Sequence, residues 1–421
     1  MRGVARQTAI YLRGVSGGRP RVPTDGTKLE EAARDHLSEN AFAYIAGGAG
    51  SGATMRANRA AFDRHRIVPR VLRDVGERDL SIQLFGRRLD APLLLAPIGV
   101  LEMAHRKAEV PVARAARAEG VPMVFSNQAS VAMEDVAAEL GSSPRWFQLY
   151  WSTSDDLVES LVGRAERSGC EAIVVTLDTT LLGWRTHDLD LAWLPFLRGM
   201  GIAQYTSDPV FRRLIAEGEP PGEETPQPRP TPAALATLIK LTRRFPEPFL
   251  RALRSGEARA AVQAFIRIYS RPTLSWEDLP FLRERTRLPI LLKGVLHPDD
   301  ARRAVEEGMD GIVISNHGGR QVDGGIATLD ALPGIAAAVG GRVPVLLDSG
   351  IRTGADVFKA IALGADAVLL GRPYVYGLAM AGEAGVREVI QNVLAELDLT
   401  LGLSGNSRIA DVDASALGPA R

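Results

Sequence analysis

PILLKGVLHPDDARRAVEEGMDGIVISN, residues 289–316, contains the unit from which the fold is read. Ile290, Leu291 and Leu292 form a short apolar run that stops at Lys293 and Gly294. Ile312, Val313 and Ile314 form another that stops at Ser315 and Asn316. Short unbroken apolar runs are the pattern of strands buried on both faces of a parallel sheet. Between them HPDDARRAVEEG reads as an amphipathic helix, closed by a glycine as a helix C-terminus should be.

The same unit recurs along the chain. Upstream lie PLLLAP (92–97), PMVFSN (122–127), WFQLY (146–150) and AIVVTLD (172–178), and downstream PVLLDSG (344–350) and AVLLGRP (367–373). KAEVPVARAARAEG and SDDLVESLVGRAERSG are further helix signals ending at glycine. Eight strands alternating with helices predict a closed α/β structure, a (β/α)8 TIM barrel. A doubly wound open sheet is the competing fold. It would carry a Gly-rich dinucleotide turn after an early strand, and no GxGxxG follows one here.

One interval breaks the rhythm. About 110 residues separate Asp178 from Pro289, so a long insertion follows strand 4. Within it EGEPPGEETPQPRPTP (217–232) is too rich in Pro and Glu to build a core, whereas 233–268 reads as helical. An insertion on the functional face of a barrel reads as a lid, and equally as a mobile excursion or an oligomer contact. The expected organisation is an N-terminal tail (1–28, a helical extension), a barrel domain (29–410) with 186–275 as its inserted lid-like segment, and a C-terminal tail (411–421).

Composition bounds the function. With 421 residues, 46% of them hydrophobic, the chain can bury one large core. Lys+Arg and Asp+Glu both number 50, so there is no electrostatic pull toward nucleic acid or acidic membranes. Cys170 is the only cysteine and the six histidines are scattered, which leaves no disulfide and no metal site to expect. The arginine-studded N-terminus lacks the apolar core of a secretory signal. No run reaches the roughly 18 apolar residues of a membrane span. A soluble, cytoplasmic protein is the expectation.

Barrel sites are built at the carboxyl ends of the strands. Here those ends carry Gln148, Tyr150, Thr176, Asp178, Lys293, Ser315, His317, Asp348, Gly371 and Arg372. His317 and Arg320, a base and a permanent cation set among glycines, point to an anionic substrate. DSGIRTGADVFKA (348–360) places glycines before a helix start, and LLGRP (369–373) adds another backbone opening. Free amides at a helix N-terminus attract phosphate, and Arg352 and Arg372 can add charge-assisted bonds, so a phosphorylated cofactor is expected.

SNHGGRQ (315–321), with AYIAGGAG (43–50), AFDRHRIVPRVLRDV (61–75), WFQLY, TLD, GWR (183–185), LLKG, DSGIRTGADVFKA and GRP, resembles the FMN-dependent α-hydroxy-acid oxidases and dehydrogenases. The resemblance covers roughly residues 30–410. GWRTHDLDLAWLPFLRGMGIAQYTSDPVF, HPDDARRAV and GRPYVYG are most similar to the lactate 2-monooxygenase branch, which also carries a long insertion here.

This resemblance implies FMN as cofactor and oxidation of an L-2-hydroxy acid, lactate or a close analogue, to the 2-oxo acid. Oxygen would be the acceptor, with coupled decarboxylation in the monooxygenase branch. A simple oxidase or a quinone- or cytochrome-linked dehydrogenase is the alternative, and a homotetramer or larger assembly is implied. His317 would be the base and Asp178 its partner. Arg185 and Arg320 would hold the substrate carboxylate, with Tyr44 and Tyr150 bonding substrate oxygens, Tyr150 beside the reacting one. Around the flavin, Ile98 and Gly99 would face the ring, Ser126, Gln148 and Thr176 its edge, and Lys293 its pyrimidine end. Ser315, Asp348, Ser349, Gly350, Arg352, Gly371 and Arg372 would complete the cofactor site, the last six along ribityl and phosphate.

Three positions depart from the family pattern. Gly99 stands where many members have Ala, and Gln128 replaces the bulky aromatic of glycolate oxidases, which argues against a glycolate preference. TTLLGWR lacks the proline common after the strand-4 aspartate.

Overall fold

The computed structural model describes residues 3–218 and 229–419. All eight expected strands are present: β1 (Leu93–Leu95), β2 (Met123–Phe125), β3 (Arg145–Leu149), β4 (Ile173–Thr176), β5 (Ile290–Val295), β6 (Gly311–Ile314), β7 (Val345–Leu347) and β8 (Ala367–Leu370). They close into one parallel barrel in sequence order, with β8 pairing back onto β1. The chain is therefore a (β/α)8 barrel.

The two-residue period of a strand sorts the side chains. Leu94, Val124, Val174, Leu291, Val313, Leu346 and Leu369 fill the barrel interior. Their neighbours Leu93, Leu95, Phe125, Ile173 and Leu347 point outward into the layer shared with the helices. Each such buried aliphatic side chain contributes about 1.5–3 kcal/mol. A hairpin of strands Ile82–Leu84 and Arg87–Leu89 stoppers the amino-terminal end, placing Phe85 edge-on to Trp146 at 5.6 Å. That leaves the carboxyl-terminal end for a site.

The helical extension at the N-terminus is present as Gly3–Val15, tied to the long terminal helix Arg372–Leu403 by Arg6 Nη2 donating to Asn392 Oδ1 at 2.9 Å. The last described residues do not hang free, since Leu417–Pro419 pairs antiparallel with His65–Ile67. Among the described residues no helix is long and apolar enough to cross a membrane.

The insertion between β4 and β5 is helical where expected, with Pro232–Arg244, Phe249–Ser255 and Glu257–Ile268. Of the Pro/Glu-rich stretch 217–232, residues 219–228 lie outside the described residues. The rest is packed. Phe265 meets Phe196, Tyr205 and Tyr269 at ring separations of 5.2, 4.8 and 5.2 Å. Buried Arg164, on the helix Asp155–Arg167, donates to Asp208 at 3.1 Å and fastens the insertion to the barrel wall.

Candidate active site

A cavity of about 320 Å³ opens at the carboxyl ends of the strands. His317 enters it because the chain turns sharply after β6. His317, Gly318 and Gly319 take φ of 55°, 66° and 75° in succession. Such a left-handed run needs glycine, and a non-glycine residue within it costs about 1–3 kcal/mol of strain. Space dictates the same, since a Cβ on Gly318 would sit 2.6 Å from Arg372 Nη1, and one on Gly319 2.8 Å from Met55 N. Asn316 Oδ1 accepts from Gly319 N at 3.0 Å and Ser315 Oγ from His317 N at 3.0 Å, which fixes the turn.

The His317 ring is oriented from behind. Its Nδ1 lies 2.8 Å from Asp178 Oδ1, and Thr179 Oγ1 donates to the same oxygen at 2.9 Å. A carboxylate at Nδ1 fixes the tautomer that leaves Nε2 free as the base. Burial lowers the imidazole below its ordinary value, and Asp178 opposes but does not cancel that. Burial alone would raise the Asp178 carboxyl, yet Lys293 and His317 hold it well below the carboxylate range. Lys293, also buried, is kept charged by Asp178 and Asp348 at 3.8 and 3.3 Å. Ser315 Oγ bridges, 2.9 Å from Lys293 Nζ and 2.7 Å from Asp348 Oδ2.

In the same cavity as His317, two guanidiniums lie against one aromatic ring. Arg320 and Arg185 lie 4.7 and 5.9 Å from the centroid of the Tyr44 ring. Arg320 Nη1 donates to the carbonyls of Tyr44 and Gly47, and Arg185 Nη2 to Gln321 Oε1 at 3.1 Å. Burial, then the like charge of Arg185, pushes the Arg320 guanidinium down to about 9. An anion between the two would relieve that repulsion, which is what a carboxylate clamp requires. Tyr150 lines the same space, and burial raises its hydroxyl so that it stays protonated as a donor.

The remaining expected residues come from strand ends and loops all round the barrel. Ile98, Gly99, Asp348, Ser349, Gly350, Arg352, Gly371 and Arg372 line the cavity, while Ser126, Gln148, Thr176 and Ser315 are buried outside its lining. Gln148 Nε2 and Thr176 Oγ1 are buried without a hydrogen-bond partner among the described residues. Buried orphans of this kind are rare and call for a partner. Polar edge groups of a flavin would satisfy them, and Lys293, Arg352 and Arg372 supply positive charge for its anionic parts.

One expectation needs correction. The helix Gly354–Ala362 does not offer free amides to phosphate. Gly354 N donates to Glu396 Oε2 at 2.9 Å and Asp356 N to Thr353 Oγ1 at 3.1 Å, the latter half of a capping box. The start of the next helix carries no side-chain cap at Gly371. Gly371 and Arg372 both border the cavity, so the anion-attracting helix end belongs there.

The geometry also adds residues that sequence reasoning passed over. Thr179 touches both Asp178 and His317, and its place beside Asp178 was the only signal. Leu194, Phe196, Phe265 and Tyr269 bring the insertion into the cavity wall. Phe265 and Tyr269 are spaced as on any packed helix, and Leu194 and Phe196 open a short 3-10 turn, so nothing marked them.

A family model described as FMN-dependent dehydrogenase matches residues 33–419. An FMN-dependent alpha-hydroxy acid dehydrogenase of Penicillium citrinum is 43% identical over 406 residues, covering 96% of this chain and 93% of its own. An L-lactate oxidase of Lysinibacillus sphaericus is 40% identical over 400 residues, covering 95% and 94%. The crystal structure of mandelate oxidase superposes with a TM-score of 0.74 at 35% identity, over 95% of this chain and 99% of that one. The chain belongs to the FMN-dependent dehydrogenase family, with FMN as its cofactor.

Proposed function

We propose that the protein oxidises an L-2-hydroxy acid, lactate or a close analogue, to the 2-oxo acid with oxygen as final acceptor. The observation that carries this is the meeting in one cavity of His317, backed by Asp178, and the Arg185–Arg320 pair on Tyr44. The guanidiniums hold the substrate carboxylate. Tyr150 donates to the substrate oxygen and His317 Nε2 takes a proton from the substrate. Asp178 stabilises the imidazolium that results, a general-base contribution of about 100- to 10,000-fold. Bound FMN supplies the two-electron acceptor. Lys293 is a fixed cation among the residues that would hold it, suited to negative charge that grows on reduction.

The relatives named as L-lactate oxidases support the oxygen-linked, small-acid form of this reading. The sequence likeness to lactate 2-monooxygenases supports its decarboxylating form. In that form the insertion's wall of Phe196, Phe265 and Tyr269 keeps 2-oxo acid and peroxide together. Anaerobic mixing of the FMN-loaded protein with L-lactate tests the reaction, and the expected result is bleaching of the yellow absorbance. Colour that persists with every member of an L-2-hydroxy-acid panel would overturn it. In air, acetate with carbon dioxide marks the decarboxylating form, and pyruvate with peroxide marks simple release.

A further inference from the structure

Besides the clamp, the cavity is lined by residues of the insertion and of the β2 loop, and one of these carries an unused amide. Phe196 stands edge-on to Tyr44 at 6.5 Å, and beyond it the backbone of Gly201 closes on Gln128. A Cβ on Gly201 would lie 2.6 Å from Val100 Cγ2, 3.0 Å from the Gln128 carbonyl oxygen and 3.3 Å from Phe196. Insertion and β2 loop are thus in contact at this point. The Gln128 backbone is pinned, its N–H donating to Ser126 Oγ at 3.1 Å and its carbonyl accepting from Val100 N at 2.9 Å.

The Gln128 side chain is different. It borders the cavity at 8% residue exposure, and its amide has no hydrogen-bond partner among the described residues. A carboxamide has two donor hydrogens and an acceptor oxygen to satisfy. Val100 and Phe196, which meet Gln128 at Gly201, offer it no polar group from their side chains. The charged lining residues are the clamp arginines and His317 at one end and Lys293, Asp348, Arg352 and Arg372 on the cofactor side.

We propose that Gln128 is a specificity residue that recognises a neutral hydrogen-bonding group at the far end of the substrate's C2 substituent. This rests on the hydroxy-acid reading above and narrows it. The preferred analogue has an apolar body that lies along Phe196 and a terminal hydroxyl or carbonyl that meets the amide. A methyl group, as in lactate, leaves both the apolar wall and the amide unmet. A charged terminus is disfavoured, because the wall offers no counter-ion and burying an unpaired charge is costly.

The test is a comparison of matched substrate pairs on the FMN-loaded enzyme. L-3-(4-hydroxyphenyl)lactate is set against L-3-phenyllactate, and L-2,6-dihydroxyhexanoate against L-2-hydroxyhexanoate. Wild type is expected to favour the hydroxylated member of at least one pair by about tenfold in kcat/KM, the scale of one neutral hydrogen bond. That ratio is expected to fall to near one in Gln128→Leu, or in Gln128→Met should the first variant fold poorly. A ratio near one in wild type, or a preference that survives in the variant, would overturn the proposal while leaving hydroxy-acid oxidation intact. Failure of every acid, lactate included, to bleach the flavin would overturn both.

Discussion

Lys293 on β5 faces Asp178, two residues past the end of β4, with Nζ 3.8 Å from Oδ2, while the other oxygen of the same carboxylate holds His317 Nδ1 at 2.8 Å. One buried anion therefore serves two cations, one permanent and one that arises when the base takes a proton. Replacing it by a neutral amide removes both services without changing shape. An asparagine NH2 in place of Oδ1 would favour the imidazole tautomer with its proton on Nε2, which cannot accept another. Asp178→Asn is expected to slow anaerobic flavin reduction about 10,000-fold while FMN stays bound. Stopped-flow absorbance measures the first and flavin content the second. Reduction within tenfold of wild type would remove Asp178 from its assigned role.

The pH profile follows from the same contacts. His317 is held below its ordinary value of about 6.5, by burial chiefly, with Asp178 pulling the other way. A base works in its neutral form, so the reduction rate rises with pH through the His317 value and is flat above it. Because that value is depressed, the acid limb falls below about pH 6.5. Losing Asp178 removes the influence that raises the imidazole, so in Asp178→Asn the limb moves to still lower pH. The stability sign agrees. A depressed folded-state value gives stability that is present above about pH 6.5 and lost as pH falls through it. Initial reduction rates between pH 5 and 8 measure the limb, and a limb centred above pH 7 would contradict the burial argument.

The barrel was legible because strands buried on both faces must be apolar and short, a pattern that survives in Leu93–Leu95 as clearly as in Ile290–Val295. The strand ends were legible because polar residues interrupt that pattern only where they face a site. The insertion's share was not. Phe265 and Tyr269 are four residues apart, which fits a packed helix face as well as a cavity wall, and only tertiary structure separates the two. The error at Gly354 had a similar origin. Thr353 and Asp356 announce a capping box, but Glu396, on a different helix, is what takes the first amide.

Clamp and phosphate arginines should separate experimentally. Arg320 rides on the Tyr44 ring and donates to the Tyr44 and Gly47 carbonyls, so it presents a planar fork that lysine lacks. Arg320→Lys is expected to raise KM for the hydroxy acid about 100-fold while leaving FMN affinity within threefold.

Arg352 also lines the cavity, and the only hydrogen bond of its guanidinium among the described residues goes to the carbonyl of its neighbour Ile351. Its charge is therefore free for an anion. Arg352→Gln is expected to weaken FMN binding about 10- to 100-fold, the scale of a charge-assisted hydrogen bond. Turnover of the fully loaded enzyme should stay within fivefold. Fluorescence titration of apoprotein with FMN measures the affinity, and unchanged affinity would place the phosphate elsewhere.

Gly294 tests whether the base depends on where Asp178 is held. It sits at the end of β5 with φ of 107°, and a Cβ there would lie 2.8 Å from Asp178 Cβ and 2.9 Å from Asp178 N. Neither neighbour can yield cheaply, because one is backbone and the other is bound to it. Gly294→Ala therefore has two costs: a strained φ for an L-residue, and displacement of Asp178 away from His317. The expected stability loss is about 1–3 kcal/mol. The rate effect should be larger than that loss accounts for, since a 2.8 Å hydrogen bond to the base is stretched while the clamp is untouched. The measurement is thermal unfolding alongside anaerobic reduction, with KM for the acid as the internal control. A destabilised protein that reduces its flavin at the wild-type rate would show that Gly294 serves the fold alone.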